Sequence, residues 1–197
     1  METRKFAPGF TRKSMMFFSV ILVSIFGLTS CYSLETTALK VDADERDLQG
    51  IPFQASFVVI EKEGGSAKDL FYDIKRSLDF KGHELDMISE EMTMLTTRGK
   101  VVDVDRVKQR MEIRVRDTAF GARAVISTQH RLIGRPAGSQ FSTWRRSYWD
   151  AVLMRTAFAE TVVVAKSIPG ATVSYEHIDP FAFWDNHVPR VQTTNVF

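Results

Sequence analysis

Apolar and polar positions change period several times along the chain, and each change marks an element. Phe53, Ala55, Phe57 and Val59 alternate with Gln54, Ser56 and Val58, the two-residue period of a strand, until Glu63-Gly64-Gly65 breaks it. Ser66 with Asp69 three positions on predicts a capping box. Leu70, Phe71, Ile74 and Leu78 then form one apolar helical stripe, and Gly82 is a natural stop. Residues 83–89 and 92–97 predict two strands around a turn at Glu90-Glu91, and the following RGKVVDVDR leads to a further return. The clearest strand runs over 107–117, where Met111, Ile113 and Val115 alternate with Arg110, Glu112, Arg114 and Arg116. After a turn at Phe120-Gly121, Ala122, Ala124, Ile126 and Thr128 alternate with Arg123, Val125 and Ser127 in a partner strand reaching about Ile133.

Residues 134–139 are a loop by composition, and 144–167 has helical length, with Tyr148, Trp149, Val152, Leu153 and Ala157 on one face before Pro169-Gly170. A short strand is expected at 171–175, followed by a tail. The order β-α-β-β-β-β-α predicts an α+β fold: an antiparallel sheet of four to five strands with two helices packed on one face, helix-grip-like. The expected organisation is a signal over 1–30, a flexible linker over 31–50, one domain over 51–178 and a C-terminal tail over 179–197. The linker reading rests on 32–50 being rich in Ser, Thr, Asp and Glu and poor in large apolar residues.

The N-terminus follows a different pattern. Arg4, Lys5, Arg12 and Lys13 outnumber Glu2, and a run of 14 largely apolar residues follows from Met15 to Leu28. A bilayer-spanning helix needs about 20, so the run reads as an export signal. It ends Leu28-Thr29-Ser30-Cys31, at the only cysteine of the chain. This resembles the lipobox of bacterial lipoprotein precursors, which implies cleavage between Ser30 and Cys31 and attachment of diacylglycerol to the Cys31 thiol. The expected first partner is therefore a membrane, held through the lipid on Cys31. Tyr32, standing where an aspartate would favour the inner membrane, implies the periplasmic face of the outer membrane.

Removing the signal takes four cationic residues and one acid from 26 Lys+Arg and 24 Asp+Glu, leaving 22 against 23. The basic balance of the precursor belongs largely to its signal, and nucleic acid is not an expected partner. One cysteine excludes an internal disulfide, so burial must hold the domain together. The stretch SLDFKGHELDMISEEMTMLTTR resembles the helix end, glycine, strand, acidic turn and strand of small envelope lipoprotein domains of the BamC-like family. That likeness implies a binding or scaffolding role.

No catalytic constellation is visible. His83, His130, His177 and His187 lack metal-ligand spacing, and neither Asp103-Val104-Asp105 nor Asp42-Ala43-Asp44-Glu45 continues into a calcium loop. No metal and no cofactor are expected. Gly64-Gly65-Ser66 with Lys68 lies where backbone N–H groups hold anions, but it lacks the spacing of a phosphate-binding loop. Arg110, Arg114 and Arg116, with Arg123 and Arg131 on the adjoining strand, are expected on the solvent side of the sheet as an ordinary charged surface or an anion-binding face. The leading functional expectation is a non-catalytic envelope lipoprotein that binds or scaffolds an envelope protein or cell-wall partner. A lipid or small-ligand carrier with a helix–sheet cavity and an envelope-polymer hydrolase are the alternatives.

Overall fold

The computed structural model describes residues 34–103, 107–134, 142–149 and 152–178. Eight strands form one antiparallel sheet: β1 (Phe57–Glu63), β2 (Leu85–Ile88), β3 (Met94–Thr97), β4 (Lys100–Asp103), β5 (Val107–Thr118), β6 (Gly121–Leu132), β7 (Arg145–Arg146) and β8 (Thr172–Glu176). Four helices are present among the described residues: α1 (34–40), α2 (Glu45–Leu48), α3 (Ala67–Phe80) and α4 (Val152–Lys166). The main path runs β2-β3-β5-β6-β1-β8, with β4 pairing β5 and β7 pairing β6.

This overturns the expectation of four to five strands and two helices. The additional strands are short, and a two-residue strand such as β7 leaves no period to read; it exists because β6 offers Gln129 and His130 as partners. The second helix was expected from Trp144 and begins at Val152, because 145–146 lie along β6 instead. The first strand is displaced to Phe57–Glu63, and its alternation misleads because Phe57, Val58, Val59 and Ile60 are all buried. β1 lies between β6 and β8, and only its first four residues are buried on both faces.

β5 and β6 form the spine, a hairpin of two twelve-residue strands in continuous register from Val107↔Leu132 to Thr118↔Gly121. A Cβ on Gly121 would stand 2.1 Å from the Lys62 carbonyl oxygen, so glycine lets β1 close on the hairpin. α3 starts as its sequence predicts, with a reciprocal Ser66–Asp69 capping box. Its stripe of Leu70, Phe71, Ile74 and Leu78 enters the main core against Met111, Ile113 and Ile126 of the sheet.

α4 has no open side from Thr156 to Ala165, where every residue is buried. A helix covered all round needs neighbours on more than one side. The sheet covers one side: the Thr161 hydroxyl meets Gln109 Nε2 at 2.9 Å and Thr128 Oγ1 at 2.7 Å. α3 flanks it, with the Ser77 hydroxyl donating to the Val164 carbonyl at 2.8 Å. The N-terminal segment supplies further cover. Ala38, Val41, Leu48 and Ile51 join the same core, Asp44 caps α2 through Arg46 N at 2.9 Å, and Lys166 Nζ donates to Asp47 at 3.2 Å.

Residues 34–50 therefore differ from the expected flexible linker over 31–50. Leu34, Ala38 and Val41 stand at i, i+4 and i+7, a helical stripe that small side chains and a polar background conceal. The signal, Cys31 and the tail over 179–197 lie outside the described residues. Leu48 is 1% exposed. Leu48→Ala is expected to lower stability by about 2–5 kcal/mol, the cost of a buried cavity. Urea denaturation of the soluble domain should show a reduced midpoint at unchanged slope, whereas a spacer would give no shift.

Candidate functional site

Alternation along paired strands sorts the sheet into an inner face against the helices and an outer face. Arg110, Arg114 and Arg116 of β5 and Arg123 and Arg131 of β6 all fall on the outer face. Arg116 stands directly opposite Arg123, Arg114 opposite Val125 and Arg110 opposite Gln129. Like charges opposed across strands destabilise a sheet unless neighbours relieve them. Glu61 of β1 does so for Arg123, at 3.4 Å. Arg110 Nε donates to Gln129 Oε1 at 2.7 Å. Partial burial lowers the Arg110 pKa, and Asp86 and Glu112 oppose that shift.

The register adds residues that sequence reading missed. Lys108 lies opposite Arg131, and Arg146 of β7 lies opposite Gln129, on the same face. Trp144 is the organising side chain: the Arg110 and Arg131 guanidinium carbons lie 4.7 and 4.9 Å from its ring centroid. Arg146 stacks in the same way over Phe57 at 4.9 Å. Phe57, Val59 and Val125 form a small buried apolar cluster on this outer face. By register the face carries seven cationic side chains against Glu61, Glu63, Glu112 and Glu176, with Asp86 close enough to act on Arg110, around a buried apolar cluster. Planar guanidinium groups fixed against rings are suited to pairing with carboxylate or phosphate oxygens.

The inner face carries a second polar arrangement. Glu160 of α4 is 4% exposed, and its Oε1 accepts from Lys100 Nζ of β4 at 2.5 Å. The same oxygen lies 3.0 Å from His83 Nε2, in the turn after α3. A carboxylate only accepts, so His83 Nε2 carries the proton in this contact. Lys100 also donates to the Lys81 carbonyl at 2.6 Å, which ties the end of α3, β4 and α4 to one point. Burial by itself pushes the Glu160 carboxyl up, but hydrogen bonds from His83 and Lys100, with the Lys100 charge, outweigh it. The group is held below the usual carboxylate range. His83 Nδ1 and Gln109 Oε1 are buried without a partner among the described residues.

The other histidines are dispersed. His130 Nδ1 meets the Ser147 hydroxyl at 3.1 Å, His177 is exposed after β8, and His187 lies outside the described residues. No group of three His, Cys, Asp or Glu side chains gathers as metal ligands among the described residues. The Gly64-Gly65-Ser66 turn is occupied by the chain's own carboxylates. Asp69 accepts from Ser66 N at 3.1 Å, and Asp117 accepts from Ala67 N at 2.6 Å. Its hydrogen bonds from the Ser66 hydroxyl and backbone lower the Asp69 pKa.

No protein-family model matches the chain, and no curated protein matches it. Among the described residues no helix is long and apolar enough to cross a membrane.

The Glu160 clamp has a signed pH dependence. Its folded-state pKa is depressed, so its contribution is present above the unfolded carboxylate pKa and is lost as pH falls through the folded value. Thermal unfolding between pH 7 and pH 3 should therefore show a steeper acid loss in the native sequence than in Glu160→Gln. Parallel curves would contradict the assignment.

Proposed function

We propose that this chain is the precursor of a lipid-anchored bacterial envelope protein that acts by binding and has no catalytic role. The observation that carries the reading is the order of basic segment, 14-residue largely apolar run and Leu28-Thr29-Ser30-Cys31. Each buried methylene contributes about 0.8 kcal/mol to membrane affinity, and one chain anchors only marginally, so a two-chain diacylglyceryl group on Cys31 suffices to hold a folded domain at a bilayer. Tyr32 favours the periplasmic side of the outer membrane.

The binding surface in this reading is the outer face of the sheet. Arginines set by strand register and by stacking on Trp144 present forked donors at a low entropic cost, and their partners are carboxylate- or phosphate-bearing envelope proteins or cell-wall polymers. The interior polar groups have a different part: His83 and Lys100 both bond Glu160 and hold α4 in place.

Two experiments test this. Cys31→Ala is expected to yield an uncleaved precursor that takes up no labelled fatty acid in a bacterial host, and normal processing would refute the anchor. Replacing Arg114 and Arg116 by Ala in the soluble domain should lower the salt concentration at which it leaves a sulfonate matrix, with little change in melting temperature. An unchanged elution point would remove the arginine face from the binding surface.

A further inference from the structure

Strand register divides the outer face into rows of residues that stand side by side across the sheet. Val101, Lys108 and Arg131 form one row across β4, β5 and β6, and Arg110, Gln129 and Arg146 form the next across β5, β6 and β7. Neither row contains a carboxylate. The third row holds Glu112 beside Ser127, Phe57 and Glu176, so acidic groups separate this corner from Arg114, Arg116 and Arg123 beyond it. Neighbouring strands lie about 4.8 Å apart and alternate residues of a strand about 7 Å, which places the corner's four cations within a patch of about 10 by 7 Å.

Aromatic rings set these cations in place, and counter-charge is scarce. Trp144 lies against the β3–β4 turn, where a Cβ on Gly99 would stand 2.9 Å from its Cη2 atom. Its ring carries the guanidinium groups of Arg110 and Arg131, and Arg146 is set over Phe57. Among the described residues no carboxylate pairs with Lys108, Arg131 or Arg146. Burial lowers the Arg110 pKa and the Arg131 charge lowers it further, against the pull of Asp86 and Glu112. Asp86 is itself engaged by Arg98 at 3.7 Å.

Resting on the outer face as the binding surface, we infer that this corner is a site for a phosphate monoester, held by Lys108, Arg110, Arg131 and Arg146 around Trp144. The number and arrangement of charges decide between the two anions that arginine recognises. A carboxylate brings one charge and two oxygens in a plane, which a single guanidinium fork satisfies. A phosphate monoester brings about 1.5 to 2 negative charges at pH 7 and three acceptor oxygens, so donors converging from three strands each find an oxygen of their own. Its charge also relieves the repulsion between Arg110 and Arg131. Trp144 is a positioning residue here: it sets where two of the forks stand and brings no charge itself.

The test titrates glycerol 2-phosphate and succinate into the full chain in nonionic detergent by calorimetry, at equal ionic strength and at pH 8, where both are dianions. The phosphate is expected to bind about ten-fold more tightly than succinate, and Arg131→Gln to weaken it about ten-fold. Gly99→Ala keeps every charge but crowds the Trp144 ring, and it should weaken phosphate about three-fold at a nearly unchanged melting temperature. Arg76→Gln removes the same charge from α3 and should leave the affinity within about two-fold, as expected of a screened and distant charge. Competition by phosphatidate vesicles would assign the group to a lipid and its absence to a soluble or polymer-borne phosphate; either result supports the site. No phosphate binding, or succinate bound equally well, overturns the phosphate site. If Arg114→Gln, beyond the Glu112 row, costs as much as Arg131→Gln, the corner is overturned and the wider arginine face stands. That wider reading fails separately, on an unchanged elution point from the sulfonate matrix.

Discussion

Burial of α4 is the constraint on which the other elements depend. A helix whose residues from Thr156 to Ala165 all avoid water cannot rest on a sheet alone, because a sheet covers only one side. α3 closes one flank through Ser77 and Val164, and the segment leading to Ile51 adds further cover through Ala38, Val41 and Leu48 in the same core. The two short N-terminal helices are thus part of the core. Their individual stability is negligible at this length, and tertiary contact supplies it.

The same constraint explains the buried polar groups. Glu160 occupies a turn of α4 that faces the end of α3 and β4, and a carboxylate there is tolerated only with partners. Lys100 and His83 provide them and join three elements whose sequence separation is large. Gln109, Thr128 and Thr161 repeat the arrangement at the next residue of α4 with neutral groups. A buried pair of this kind is a weak source of net stability and a strong source of specificity, since a shifted register would strand the charge.

The outer face obeys the opposite requirement. Its cations lie close together, and the sheet manages their repulsion with Glu61, with Gln129 and with the faces of Trp144 and Phe57. Rings that hold guanidinium groups in place also restrict their rotamers, so the charge is presented in a fixed pattern. The helical side carries the net acidic segment over 34–50, which shares the inner core, so acidic and cationic groups lie on opposite sides of one sheet.

Local chemistry made several features legible from sequence. The α3 capping box and stripe and the β5–β6 hairpin each rest on neighbours within a few residues, where periodicity and capping act directly. The outward direction of Arg110, Arg114, Arg116, Arg123 and Arg131 likewise follows from two-residue alternation. Only the tertiary structure decided the remainder. β7 exists because β6 has a free edge at Gln129 and His130, Trp144 leaves the expected helix because two arginines from different strands meet its ring, and α1 and α2 fold because α4 has a side to cover. In each case the deciding free energy comes from a surface distant in sequence, and no local pattern contains it.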